Sequence, residues 1–406
     1  MLAPIQRSSM EVSSVAVVGA GTMGASIAVA LASHGFDVIL KEINEELLQM
    51  GIENIDRINQ KREAKGMSAE ALSAERNRIT PTTSFDGFSE VDLAIEAVPE
   101  KLEIKEKVFR ELDEYCNVNA ILATNTSSLS ISQIGAFTMR PDKVIGLHFF
   151  NPAHLMKLVE VIPGLETAEE TVETCLTLGR ALGKLSVRVD ECPSFLVNRL
   201  LGRYMNESLW CLSEGLATIE EIDKCAADYV VPIGPLALRD MNGADIGLAV
   251  CRFNFQEYGP RYAVPDILEN MVERNLLGRK TGKGFYLYDP ETRKKTGPNP
   301  EIDEFIKGKK KKSKVKKSEF KVEQLFLPMI NEAFLALQER VCNPQDLDPA
   351  LMAGLGMRRG PLRLAHDIGL PECLSMIEQN FELYGERYRP APLLKRFVHA
   401  RKDLLI

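Results

Sequence analysis

"SSVAVVGAGTMGASIAVALASHGFDVILKE", residues 13–42, runs from an apolar stretch through three glycines into an alanine-rich stretch and then into a second apolar run, Val38 to Leu40. That order predicts a strand, a tight turn, a helix and a second strand, which is a βαβ unit. Gly19, Gly21 and Gly24 form G-x-G-x-x-G. In this pattern the first glycine allows the turn, the second lets the backbone approach a pyrophosphate, and the third lets the helix pack on the strand. The pyrophosphate meets the positive end of the helix. Thr22 and Met23, inside the same loop, are further cofactor-binding candidates. Glu42 stands 18 residues beyond Gly24, at the end of the second strand. A carboxylate there accepts hydrogen bonds from ribose hydroxyls and repels a 2′-phosphate, so the expected dinucleotide is NAD rather than NADP. Lys41 would soften that preference if it reached the ribose; an exposed lysine is the expectation.

Working outward, strand-like runs recur at "VDLAIEAV" (91–98), "AILATNT" (120–126), "VIGLHFF" (144–150) and "KLVEVI" (157–162). They predict a doubly wound α/β sheet of the Rossmann type. Asn125, in the second of these runs, is counted with the cofactor-binding candidates. Residues 43–80 are polar and helical in pattern, longer than an ordinary connection. A helical-hairpin insertion is expected there, with Lys61, Arg62 and Lys65 on its outer side.

From about Pro193 the pattern turns helical and then repeats. "MNESLWCLSEGLATIEEID" (205–223) matches "INEAFLALQERVCNPQDLD" (330–348) at an offset of 125, and "GPLALRDMNG" (234–243) matches "GPLRLAHDIG" (360–369) at 126. Two tandem all-α domains are expected. The organisation is then a Rossmann domain over 1–190, a first helical domain over 191–290, a lysine-rich linker over 291–319 and a second helical copy over 320–406.

Of the 406 residues 45% are hydrophobic and 26% charged, as in globular multidomain chains. The net charge of −7 argues against nucleic acid as the main partner. Eight lysines crowd "KGKKKKSKVKK" (307–317) without an acid, so the rest of the chain is more acidic still. Such a run reads as a solvated linker. The eight cysteines form no C-x-x-C pair and have no neighbouring histidine at ligand spacing, which predicts reduced thiols, no metal site and a cytoplasmic protein. The start of the chain lacks the apolar core of a signal peptide, and no stretch of about 18 apolar residues exists to span a membrane.

Two ionisable side chains interrupt the apolar runs of "GLHFFNPAHLMKLVEV" (146–161). Leu158, Glu160 and Ile162 share one face of a strand whose two faces are otherwise apolar. A buried carboxylate needs a partner, and His148, at the end of the preceding strand, is the nearest. Ligands of open α/β sheets bind beyond the carboxyl ends of the strands. There, a histidine oriented by a glutamate serves as general base for a hydroxyl that loses hydride from its carbon. The plainer alternatives stay open: a satisfied core histidine, and a strand-end surface acid.

"NTSSL" (125–129), "GLHFFNP" (146–152), "MKLVEV" (156–161) and "FLVNRLL" (195–201) stand in the order and spacing of the 3-hydroxyacyl-CoA dehydrogenases, which the chain resembles over nearly its whole length. The resemblance implies NAD-dependent oxidation of an L-3-hydroxyacyl-CoA to the 3-oxoacyl-CoA. His148 is then the catalytic base and Glu160 its orienting partner, while Ser127 and Asn198 hold the reacting oxygen. Glu100 and Lys105 are implied to lie near the nicotinamide, and Lys61 and Arg62 to contact the CoA phosphates. Ser194 departs from the family's usual glycine. Read alone, Ser127 and Ser128 are equally helix-capping residues, and Asn198 a surface residue of an amphipathic helix. In the second copy the position of Asn198 falls on Glu323, so only the first copy is expected to be catalytic. The arrangement resembles the dehydrogenase half of multifunctional fatty-acid oxidation proteins. A monomer or homodimer is expected, in loose association at most with other β-oxidation enzymes. The alternatives are a dehydrogenase of free hydroxy acids or sugar acids on the same scaffold, and a non-catalytic scaffold subunit.

Overall fold

The computed structural model describes residues 11–263, 265–306 and 320–403. The lysine run at 307–317 lies outside the described residues. The chain divides into two compact units, Met1–Phe195 and Leu196–Ile406.

The first unit is built on eight strands: β1 (Ser14–Val18), β2 (Asp37–Lys41), β3 (Ile79–Thr82), β4 (Leu93–Glu96), β5 (Ile121–Thr124), β6 (Val144–Phe149), β7 (Leu158–Pro163) and β8 (Leu185–Arg188). They form one sheet in the order β3-β2-β1-β4-β5-β6-β7-β8. Every neighbouring pair is parallel except β6 and β7. The strand sequences are near-continuously apolar because both faces are covered. Val15, Val17, Leu93, Ile95, Ile121 and Ala123 enter one core, and Ala16, Val18, Ala94 and Leu122 the other. This is the Rossmann-type sheet expected from the sequence.

Six helices cover the sheet: α1 (Thr22–Ala32), α2 (Glu45–Glu63), α3 (Ala69–Arg76), α4 (Leu102–Tyr115), α5 (Ile131–Gly135) and α6 (Glu169–Ala181). The inserted hairpin is α2 and α3. Asn44 caps α2 by accepting from the Leu47 amide at 2.9 Å, and Ser68 caps α3 through the Ala71 amide at 3.2 Å. Both helices open on acids and close on basic residues, in line with their dipoles. The sequence reading missed β3 and β8. Each has four residues, and at the sheet edge each has a neighbour on one side only, so their apolar signal is weak. Pro81 within β3 is tolerated for the same edge reason.

The second unit carries α7 (Val197–Ser213), α8 (Ile219–Tyr229), α9 (Pro235–Asn242), α10 (Ala244–Tyr258) and α11 (Asp266–Glu273). A hairpin of β9 (Tyr286–Tyr288) and β10 (Lys295–Pro298) and the short α12 (Ile302–Ile306) follow. The repeat then supplies α13 (Glu323–Gln338), α14 (Pro344–Leu355), α15 (Pro361–Ile368), α16 (Leu370–Tyr384) and α17 (Pro392–His399). The matched sequences fold alike: Asp223 accepts from the Leu236 and Ala237 amides at the start of α9, and Asp348 from the Leu362 and Arg363 amides at the start of α15. The long helices α7 and α13 pack together, with Tyr204 stacked on Phe326 at 4.7 Å. Arg199 donates from Nε to Glu332 at 2.8 Å and from Nη1 to Glu339 at 2.6 Å. Arg387 in turn meets Glu214 at 2.9 Å and Glu207 at 3.7 Å. At the offset of 125, Glu207 and Glu214 are the counterparts of Glu332 and Glu339. Among the described residues no helix is long and apolar enough to cross a membrane.

The β9 hairpin is tied to α9 by Asp240, which accepts from the Phe285 and Tyr286 amides at 2.9 Å and from the Tyr288 hydroxyl at 3.0 Å. Burial pushes the Asp240 carboxyl up to about 6, against the opposing pull of these hydrogen bonds. The folded chain thus holds a proton that the unfolded chain releases near 3.8. The stability contributed by that proton is full below the unfolded value and lost as pH rises to about 6. In urea unfolding between pH 4 and 6, the stability gap between the wild type and Asp240→Asn is expected to narrow as pH rises. A gap independent of pH would refute this.

Candidate functional site

The glycine-rich turn leaves β1 at Gly19, whose φ is +98°, a conformation that glycine adopts without steric cost. A Cβ on Gly24 would lie 1.7 Å from the Gly19 carbonyl oxygen, so α1 reaches the turn only because residue 24 has no side chain. A Cβ on Gly21 would meet nothing within 4 Å. The helix opening at Thr22 therefore presents its N-terminal amides to open space that a side chain at 21 would fill. The Glu42 carboxylate closes the turn, accepting from the Ala20 amide at 2.8 Å and the Ile43 amide at 2.9 Å. These residues fit a dinucleotide, with the pyrophosphate on the amides and the adenosine ribose at Glu42. Thr22 and Met23 form the first turn of α1. The structure corrects the reading of Lys41 as exposed: it is 6% exposed, and its ammonium lies 4.3 Å above the Phe85 ring. Strand alternation turns it away from Glu42 and into the protein.

Beyond the carboxyl ends of β4 and β5 lies a network of acids, hydroxyls and one lysine. Lys105 is 1% exposed; its Nζ donates to both oxygens of Glu96, at 2.7 and 2.8 Å, and pairs with Glu100 at 3.3 Å. The Thr124 hydroxyl and the Val98 amide also donate to Glu96, each at 2.7 Å. Glu100 accepts from the Thr126 hydroxyl at 2.6 Å, from the Ser127 amide at 2.9 Å and hydroxyl at 3.3 Å, and from the Ser128 hydroxyl at 3.1 Å. Burial works against ionisation of Glu100, but the Lys105 charge and these hydrogen bonds outweigh it and hold the carboxyl below its ordinary value. Ser127 and Ser128 do not cap the next helix; Ser130 does, accepting from the Gln133 amide at 3.1 Å. Asn125 turns its Oδ1 to the Phe149 amide at 2.9 Å and so ties the end of β5 to the residue after His148.

The sequence reading missed Glu96 and Thr124. The signal was present for Glu96: "LAIEAV" (93–98) is an apolar run with a single carboxylate, the same anomaly that singled out Glu160.

His148 and Glu160 face each other across the antiparallel β6/β7 pair. Their side chains share one face of the sheet, and His148 Nδ1 lies 2.7 Å from Glu160 Oε2. Glu160 is fully buried and His148 is 6% exposed, so the reading of Glu160 as a surface acid is excluded. In the tautomer that donates Nδ1–H to the carboxylate, Nε2 is the ring nitrogen left as an acceptor. Phe150 and Phe195 flank the imidazole, with ring centroids 4.6 and 5.7 Å away. Ser194, before Phe195, has φ +63°. This left-handed conformation favours glycine, which accounts for the family's usual residue there.

Asn198 belongs to the second unit, in the first turn of α7. On the hairpin, Lys61 and Lys65 are exposed. Arg62 is half-buried and grips Glu75 with two hydrogen bonds, at 2.6 and 3.2 Å. Nearby, His154 Nδ1 lies 2.8 Å from the Ser26 hydroxyl. Burial, then the charges of Arg62, Lys184, Lys61 and Lys65, lower the pKa of His154, which marks a positive field beside the hairpin.

Residues 14–192 match the family model described as 3-hydroxyacyl-CoA dehydrogenase, NAD binding domain. Residues 195–288 and 320–403 match the one described as 3-hydroxyacyl-CoA dehydrogenase, C-terminal domain. A 3-hydroxybutyryl-CoA dehydrogenase of Clostridioides difficile is 44% identical over 280 residues, which cover 68% of this chain and 99% of that protein. The fatty acid oxidation complex subunit alpha of Vibrio cholerae is 36% identical over 388 residues, 93% of this chain and 54% of that subunit. The chain thus spans about half the length of that relative and of the multifunctional protein of Brassica napus. The crystal structure of 3-hydroxybutyryl-CoA dehydrogenase from Escherichia coli K12 superimposes with a TM-score of 0.85 at 32% identity, covering 96% of this chain and 99% of the other. On these matches, the chain belongs to the 3-hydroxyacyl-CoA dehydrogenase family.

Proposed function

We propose that the chain catalyses the reversible, NAD-dependent oxidation of an L-3-hydroxyacyl-CoA to the 3-oxoacyl-CoA, the dehydrogenation step of fatty-acid oxidation. The observation that carries this reading is the buried His148–Glu160 pair at 2.7 Å on adjacent strands of a dinucleotide-binding sheet. NAD, when bound, supplies the nicotinamide ring that takes the hydride from C3. His148 Nε2 takes the hydroxyl proton, and Glu160 holds the imidazole in the tautomer that makes this possible and stabilises the imidazolium that results. The Ser127 hydroxyl and the Asn198 amide donate to the oxygen as it becomes a carbonyl. Glu100 and Lys105 border the nicotinamide half of the cofactor. Asn125 contributes indirectly, by fixing the strand end that carries His148.

The positive field around His154 supports a CoA phosphate contact at the hairpin, with Lys61 as the exposed donor. Arg62, engaged by Glu75, contributes charge more than hydrogen bonds. In this reading 1–190 is the NAD-binding domain, 191–290 the substrate-binding copy and 320–406 a copy that stands in for a dimer partner; the stretch expected as a linker, 291–319, begins instead as part of the helical unit, with β10 and α12 formed and Asn299, Ile302 and Ile306 buried. A monomer follows, and a sedimentation mass of two chains at micromolar concentration would refute it. All eight cysteines are free and most are buried, in keeping with a cytoplasmic protein.

The deciding assay follows NADH absorbance during reduction of acetoacetyl-CoA, beside free acetoacetate and beside NADPH. Turnover with the CoA ester and NADH is expected to exceed both controls by at least about a hundredfold. Turnover of free acetoacetate at a comparable rate would favour a hydroxy-acid dehydrogenase, and silence with all substrates a scaffold subunit.

A further inference from the structure

The strand order of the first unit reverses where β4, entering after the edge strand β3, lies beside β1. In open α/β sheets ligands bind in the crevice at that reversal. Glu42 sets the direction in which a dinucleotide lies there: with the adenosine ribose at the end of β2, the nicotinamide half extends the other way, over the ends of β4 and β5. The glycine turn and the end of β4 are in direct contact, since a Cβ on Gly19 would stand 2.7 Å from the Ala97 carbonyl oxygen. Glu96 is the last residue of β4 and is fully buried. It accepts four hydrogen bonds, two from the Lys105 ammonium, one from the Thr124 hydroxyl and one from the Val98 amide. A side chain that accepts on both oxygens in this way is a carboxylate.

Lys105 holds Glu96 at 2.7 and 2.8 Å and Glu100 only at 3.3 Å, so Glu96 is its closer counter-charge. Glu100 keeps 37% of its side chain exposed, whereas Lys105 keeps 1%. Burial opposes ionisation of Glu100, but Lys105 and the donors of Thr126, Ser127 and Ser128 outweigh it. Two carboxylates and one ammonium leave the cluster with one net negative charge, and its exposed member is Glu100. The two states of the cofactor differ in charge at the nicotinamide: the ring is positive in NAD+ and neutral in NADH. Hydride transfer from C3 removes that positive charge while the hydroxyl proton passes to His148. An anion beside the ring therefore attracts the oxidised form and not the reduced one. We infer that Glu96, Lys105 and Glu100 select the redox state of the bound cofactor: Glu96 neutralises Lys105, and the uncompensated charge of Glu100 favours NAD+ over NADH. The inference rests on the dehydrogenase reading above. Glu96, being fully buried, acts in it as a positioning residue, through Lys105.

The test measures Kd for NAD+ and for NADH by titration calorimetry on the full chain and its variants. Glu100→Gln and Glu96→Gln each remove the net negative charge. Even with the screening of bulk water, unit charges about 4 Å apart change an affinity roughly fivefold. The ratio of Kd for NAD+ to Kd for NADH is therefore expected to rise about fivefold in each variant. A lost hydrogen bond or a loosened strand end would weaken both nucleotides alike and leave the ratio where it was. Glu100→Asp keeps the charge, and Glu96→Gln combined with Lys105→Met removes one charge of each sign; both should hold the ratio within about twofold of the wild type. Glu100→Gln, at a partly exposed position, carries the test if Glu96→Gln fails to fold. A ratio unmoved by Glu100→Gln, or moved as far by Glu100→Asp, overturns the inference. If the wild type meanwhile reduces acetoacetyl-CoA with NADH, the dehydrogenase reading stands without it; a wild type that binds neither nucleotide and leaves the ester untouched overturns the two together.

Discussion

His148→Ala is expected to lower kcat for 3-hydroxyacyl-CoA oxidation by about a thousandfold while leaving the dissociation constant for NADH, measured by fluorescence titration, within about twofold of the wild type. The separation follows from position. The glycine-rich turn and Glu42 lie at the ends of β1 and β2, whereas His148 lies on β6, four places from β2 in the sheet order. Alanine removes the proton acceptor without touching the turn. It also leaves Glu160 buried without the imidazole, so the variant loses stability as well. Glu160→Gln provides the check: it keeps the volume and removes the charge, and a drop in kcat of at least about tenfold with unchanged NADH binding is expected. If His148→Ala instead abolishes NADH binding and leaves residual turnover untouched, His148 is a structural histidine and the proposed mechanism fails.

The second large effect concerns stability. Glu332 is fully buried, and three arginines converge on it: Arg199 at 2.8 Å, Arg261 at 3.3 Å and Arg203 at 3.7 Å. Glu332→Ala removes the anion and leaves Arg199, itself fully buried, with only the half-exposed Glu339 as counter-charge. Breaking a buried ion pair in this way costs about 3–5 kcal/mol, because one charge remains uncompensated in a low-dielectric interior. For a unit of this size the midpoint should fall by roughly 10 °C. Glu332→Leu combined with Arg199→Met, which removes both partners, should recover part of the loss. Calorimetry of the three proteins decides it, and a melting point unchanged by Glu332→Ala would show that Glu339 alone satisfies the arginine cluster.

Much of this molecule was legible in one dimension. The βαβ unit, the glycine positions, Glu42 and the four inner strands followed from local pattern, because residues on a strand buried on both faces have to be apolar and a tight turn onto a helix has to lack side chains. The same rule marked Glu160 as an anomaly, and the offset of 125 to 126 revealed the duplicated helices. Local pattern was silent where a neighbour supplies the reason. β3 and β8 are strands because a longer strand pairs with them at the sheet edge. Lys41, polar by identity, is buried because Phe85 stands beneath it. Arg62, read as an outer residue of the hairpin, is held by Glu75 from the facing helix. Ser127 and Ser128 serve Glu100 because the next helix already has its cap in Ser130. The sequence by itself determined the sheet, the dinucleotide turn and the repeat, since each depends on residues a few positions apart or on a repeated local pattern. Only the tertiary structure decided that His148 meets Glu160 and that Lys105 bridges Glu96 and Glu100, because these depend on the energy of charges brought together in the folded interior.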